Sequence, residues 1–89
     1  MAVERKKIID NICYTELVYR RINKKLGTDY SRSRIETLIL DLLKTTPESG
    51  FTKKGKNYYI ANMDKGIRIT VNSYTFRVIT ADRLSNPDL

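Results

Sequence analysis

The chain has 89 residues, 40% of them hydrophobic and 30% charged, with a formal net charge of +7 and an isoelectric point near 9.7. This composition excludes wholesale disorder, and a chain of this length holds one core, burying about 60% of its unfolded surface, so a single domain over residues 1–89 is expected. The lone Cys13 excludes an intramolecular disulfide, and the absence of histidine removes imidazole-based triads, histidine-ligated zinc and histidine acid–base catalysis.

No apolar run reaches membrane length: Asp10, Asn11, Thr15 and Glu16 interrupt the stretch that follows Arg5, Lys6 and Lys7. A cytoplasmic protein without a membrane partner is the expectation. The charge excess fits either an acidic partner such as RNA or DNA, or plain solubility.

In chain order, Ile8, Ile12, Thr15, Tyr19, Ile22 and Leu26 recur at steps of four and three, which predicts one helix over about residues 3–25. Gly27 supplies its left-handed end, and Glu16 precedes Arg20 by four, a favourable helical pair. The opposite face carries Lys6, Arg20, Arg21, Lys24 and Lys25, and among them Cys13, Tyr14 and Leu17, which a purely solvated face does not call for. Tyr14 and Leu17 therefore mark either a second packed side or a partner or homodimer contact.

A second helix is predicted to open at Ser33, with Glu36 at the capping-box spacing, and to end near residue 45 ahead of Pro47. Ile35, Leu38, Ile39, Leu42 and Leu43 form its apolar stripe.

From Phe51 the period changes to two, predicting a sheet region over about residues 51–83. Ile67, Ile69 and Val71 alternate with polar residues, as do Tyr74, Phe76 and Val78. A tight turn at Asn72-Ser73 would set Val71 against Tyr74 and Ile69 against Phe76, and would place Arg68 opposite Arg77. Such a like-charge pair is unfavourable unless an anion lies between the two guanidinium groups. A third strand is predicted at Asn57–Asn62, with either Tyr58 and Ile60 or Tyr59 and Ala61 facing the core. Phe51–Lys53 pairs back onto it as a short edge. Lys53, Lys54 and Lys56 then stand beside Tyr58 and Tyr59, a mixture suited to single-strand or RNA recognition and equally to a lysine-protected edge with buried rings. Leu38, Leu42, Ile69 and Phe76 are expected to meet in one core.

Gly55-Lys56-Asn57-Tyr58-Tyr59, and Ile69-Thr70-Val71-Asn72-Ser73 running into Val78-Ile79-Thr80-Ala81, resemble a family of small bacterial proteins classed as a domain of unknown function, DUF3781-like. The resemblance covers most of the chain and transfers no activity. The Gly-Lys-Asn-Tyr-Tyr strand is more weakly similar to the HicA-type messenger-RNA interferase toxins. Those toxins use a histidine in the corresponding strand, where this chain has Asn57 or Tyr58.

These observations predict an α+β domain, two helices on one face of a three- to four-stranded antiparallel sheet. The functional expectation is a non-catalytic nucleic-acid-associated module with an anion site at Lys53, Lys54, Lys56, Tyr58, Arg68 and Arg77. A histidine-free ribonuclease and a homodimerising module using Tyr14 and Leu17 are the rival readings. Asp29, Asp64 and Asp82 are scattered and no phosphate-loop or dinucleotide glycine pattern occurs, so no catalytic residue, metal site or cofactor is assigned.

Overall fold

A computed structural model describes residues 5–84. The first helical stretch does not run unbroken. It forms α1 (Arg5–Asn11) and α2 (Glu16–Leu26), separated by an extended link, where one helix over residues 3–25 was expected; residues 3 and 4 lie outside the described residues. Asn11, Ile12, Cys13, Tyr14 and Thr15 are all weak helix formers, so little is lost by opening the chain there. The link is also pulled out from a distance. Cys13 N–H donates to the Phe76 carbonyl at 2.9 Å and its carbonyl accepts from Val78 N–H at 2.9 Å, a one-residue parallel bridge. α2 ends as the sequence predicts, at Gly27 in the left-handed region with φ 69°.

The third helix, α3 (Arg32–Thr45), starts earlier than the capping-box spacing implies. Its cap is Ser31, whose hydroxyl accepts from Arg34 N–H at 3.2 Å. Glu36 is thereby released from capping and instead accepts a hydrogen bond from the Tyr19 hydroxyl at 2.5 Å. The apolar stripe holds, with Ile35, Ile39, Leu42 and Leu43 buried and Leu38 half-buried at its flank.

After Pro47 a 3-10 turn at Glu48–Gly50 leads into a meander of β1 (Phe51–Lys54), β2 (Asn57–Asn62), β3 (Ile67–Asn72) and β4 (Val78–Arg83). All neighbours are antiparallel and the spatial order is β1-β2-β3-β4. Gly50 sits where nothing larger fits, because a Cβ there would lie 2.5 Å from the Ala61 carbonyl oxygen and 2.6 Å from the Thr46 methyl. Tyr58, Ile60 and Asn62 are the buried set of β2, which settles the open register in favour of Tyr58 and Ile60 facing the core. Asn62 is polar but satisfied: its amide donates to the Thr45 and Thr46 hydroxyls, and its carbonyl oxygen accepts from Lys65 N–H at 2.9 Å. It fastens the β2–β3 turn to the end of α3.

The β3–β4 connection differs from the tight turn expected at Asn72-Ser73. Val71 pairs with Val78, Ile69 with Ala81 and Arg68 with Asp82, so Arg68 does not face Arg77. The Asn72 side-chain oxygen accepts from the amides of Tyr74 and Thr75, stabilising a longer loop that leaves Tyr74 exposed. Phe76, expected as a strand residue, adopts φ 59°, and its half-buried ring lies 6.3 Å from that of Tyr58.

The helices gather on one side of the sheet, α2 against β4 and α3 against β2, with α1 on α3. Between them lies one apolar cluster, in which Ile8, Ile22, Ile35, Ile39, Leu42, Ile60, Ile69 and Val71 are fully buried. Burying each such side chain contributes roughly 1.5–3 kcal/mol. Of the four expected core residues, Leu42 and Ile69 lie at the centre, and Leu38 and Phe76 at the rim. Arg83 closes the α2 side by donating twice to the Leu26 carbonyl, at 3.1 and 2.8 Å.

Candidate functional site

Alternation along the strands sends Thr52, Lys54, Tyr59, Ala61 and Arg68 to the face away from the helices. With Gly50 and Gly55 they line an open cleft of about 650 Å³. Two glycines and an alanine make its floor low, so the Tyr59 ring and the two cations stand above it. The guanidinium of Arg68 lies 5.9 Å from the centre of the Tyr59 ring, a cation–π contact. Asn57 steadies that ring from behind through its amide, 3.4 Å from the phenolic oxygen. No carboxylate lines the cleft among the described residues. Asp82 is opposite Arg68 in register, yet its carboxylate is 3.5 Å from the Lys25 ammonium.

The residues singled out from sequence are thus divided. Lys54 and Arg68 come together in the cleft, exposed Lys56 lies in the turn beside it, and exposed Lys53, in register with core-facing Tyr58, lies on the other side of the sheet. Lys56 belongs to the turn joining β1 to β2, and its carbonyl accepts from both the amide and the hydroxyl of Ser73. Tyr58 faces the core, so the ring available to a ligand is that of Tyr59. Arg77 is elsewhere, lining a hollow beside α2 with Leu17, Arg21 and Ile79. Tyr59 was visible in the sequence only as one of two adjacent rings, and strand register decides which is exposed.

Tyr14 and Leu17 are likewise separated. Tyr14 stacks on Tyr19, with centroids 5.5 Å apart and planes 17° from parallel. Arg32 lies 5.2 Å over Tyr19 and pairs with Glu16 at 2.6 Å, displacing the expected Glu16–Arg20 pair and tying α2 to α3. Burial, then the nearby Glu36 charge, raises the Tyr14 phenol well above its ordinary value. Tyr19 is pushed up to about 12 by desolvation and by its hydrogen bond to Glu36. Both are neutral phenols at physiological pH and offer no base. Leu17 points the other way, 67% exposed, into a shallow groove with Arg20, Arg21, Lys24 and Lys25.

Chemically, the sheet cleft offers cations, one ring and a hydroxyl, a binding set without a paired acid and base. A family described as "Protein of unknown function (DUF3781)" matches residues 6–82 of the chain. No curated protein and no solved structure matches it, which leaves the likeness to the HicA-type toxins without support.

Proposed function

The chain belongs to the DUF3781 family, whose description carries no activity, and we propose that it is a non-catalytic nucleic-acid-binding module whose contact surface is the open face of the sheet. The carrying observation is the cleft itself, where Tyr59 is flanked by Lys54 and Arg68 with no carboxylate lining it. Phosphates are drawn to the cations, and a base stacks on the exposed part of the ring, a contact that contributes about 1–3 kcal/mol per base. The β1–β2 turn with Lys56 extends the positive surface beyond the cleft, whereas Lys53, in register with core-facing Tyr58, points to the other side of the sheet. The opposed arginines expected from sequence are gone, and the ring of Tyr59 takes their place as the reason for the site. A single strand suits such a cleft better than a duplex, because its bases are free to stack.

Fluorescence-anisotropy titrations with single-stranded RNA and DNA over a series of salt concentrations test this reading. Tyr59→Ala should weaken binding roughly 5- to 150-fold, the equivalent of about 1–3 kcal/mol. Replacing both Lys54 and Arg68 with Gln should flatten the slope of log affinity against log salt by about 1.4, two single-strand phosphate contacts. Affinities and slopes equal to wild type in both variants would remove the sheet face as the binding surface.

A further inference from the structure

We propose that the groove along α2 is a docking site for an acidic amphipathic helix of a partner protein. This surface is distinct from the sheet cleft and has different chemistry. Leu17 is 67% exposed and sits between cationic side chains in a groove of about 500 Å³. The groove continues past Leu17 and Arg21 into a hollow of about 210 Å³, where half-buried Ile79 is the accessible apolar wall and the core residues Val18 and Val78 form only the floor. An apolar strip therefore runs from α2 towards β4. Arg20, Arg21, Lys24 and Lys25 line one part of it and Arg77 another.

The cations are spaced for a helical partner. Arg20 and Lys24, and likewise Arg21 and Lys25, are four residues apart on α2, about 6 Å along the axis. Glutamates at i and i+4 on an antiparallel or parallel helix repeat with the same rise, and leucines on the adjoining face would cover Leu17 and Ile79. Among the described residues, few of these charges are neutralised. Asp82 pairs with Lys25 at 3.5 Å, Arg21 donates to the Ile79 carbonyl at 3.3 Å, and Glu16 is taken by Arg32.

Charge complementarity selects among occupants. A second copy in a two-fold contact would bring these cations against their own counterparts, which is repulsive. A phosphate backbone would satisfy the cations and leave the apolar strip wet, whereas an acidic amphipathic helix satisfies both. The methylene stems of the arginines and lysines add apolar surface to the strip while their charges stay at the rim.

The test uses a synthetic helical peptide with glutamates at i, i+4 and leucines on the adjoining face, a scrambled peptide of the same composition, and an oligouridine. Each is titrated against the full chain, Leu17→Ser, and Arg20→Glu/Lys24→Glu. Leu17, Arg20 and Lys24 are exposed, so the variants should keep the wild-type circular dichroism spectrum. The ordered peptide should bind and the scrambled one should not. Leu17→Ser should weaken peptide binding about tenfold or more with oligouridine affinity unchanged, the double charge reversal should abolish peptide binding, and Tyr59→Ala should leave it intact. Equal affinity of Leu17→Ser and wild type for the peptide would overturn the proposal. So would a loss of oligouridine binding in the double variant without any peptide binding by wild type, which would give this face to nucleic acid. A wild-type dimer in sedimentation that Leu17→Ser dissolves would give it to a second copy.

Discussion

Neighbouring residues on β2 and β3 meet opposite surroundings. Ile60 and Ile69 are fully buried against the helices, while Tyr59 and Arg68, one position away on the same strands, stand on the open face. The covered face is uniformly apolar at its centre and the open face mixes a ring, cations and hydroxyls. Strand pleat alone separates the two sets, so what holds the sheet together and what it offers to a ligand can be altered independently.

The largest expected effect lies on the covered face. Ile69→Ala should cost about 2–5 kcal/mol, comparable to the whole stability of a small domain, and a urea titration should show a much lower midpoint or no folded baseline. Arg68→Gln, its neighbour, should stay within about 0.5 kcal/mol of wild type. Equal midpoints for the two would mean that the faces are not distinct in energy.

Gly50 lies where the faces join, and Gly50→Ala should cost about 1–3 kcal/mol, because the added methyl meets the rigid Ala61 carbonyl. That variant should also weaken nucleic-acid binding, since Gly50 lines the cleft. A thermal melt unchanged from wild type would show that the β2 backbone yields easily at this point.

Phe76 sharpens the contrast at the rim. Its φ of 59° favours glycine, and its ring is half-buried, so Phe76→Gly should be more stable than Phe76→Ala by roughly 1 kcal/mol. This reverses the usual order of the two residues, and paired urea titrations would detect it.

The smallest effect belongs to the tyrosine cluster between α2 and α3. With the Tyr19 pKa raised to about 12, the fold favours the neutral phenol. That contribution is fully present below the ordinary phenol value of about 10 and is lost as pH rises through about 12. Tyr19→Phe should thus remove a step from the ultraviolet phenolate titration at high pH and make stability fall less between about pH 10 and 12. An ordinary phenol titration in wild type would contradict the Tyr19–Glu36 hydrogen bond.

The legibility of this fold in its sequence followed the range of the forces involved. The α3 stripe was legible because Ile35, Ile39, Leu42 and Leu43 obey a local repeat that the tertiary structure does not override. The β1–β2 hairpin was expected as a short edge Phe51–Lys53 turning around Lys54-Gly55, and it forms with Lys54 still in the strand and Gly55-Lys56 as the turn. The break between α1 and α2 was not, because the groups that hold Cys13 extended belong to Phe76 and Val78 near the other end of the chain. The β3–β4 register misled for a different reason. Tyr74, Phe76 and Val78 alternate as a strand does, yet Asn72 takes two backbone amides with its side chain and makes an irregular loop more favourable. Moving those residues out of register took Arg77 to α2 and left Arg68 with Tyr59. Lys54 and Arg68, two of the six residues expected at one anion site, share the cleft, whereas Tyr58, the ring expected with them, faces the core and Tyr59 stands in its place, because the register of β2 has no local signal.

The Cys13 bridge also orders events in time. β4 is synthesised after α1, α2, α3 and the other strands, so the link at Cys13 has no partner until all of them have been made. Closing so long a loop is slow relative to forming a helical turn. Until β4 is made, the segment from Arg5 to Leu26 lacks the partner that holds Cys13 extended, and its own amphipathic repeat is the expected guide to its shape. An isolated peptide of residues 5–26 in a helix-promoting solvent should accordingly be helical through Cys13, where the finished chain is extended.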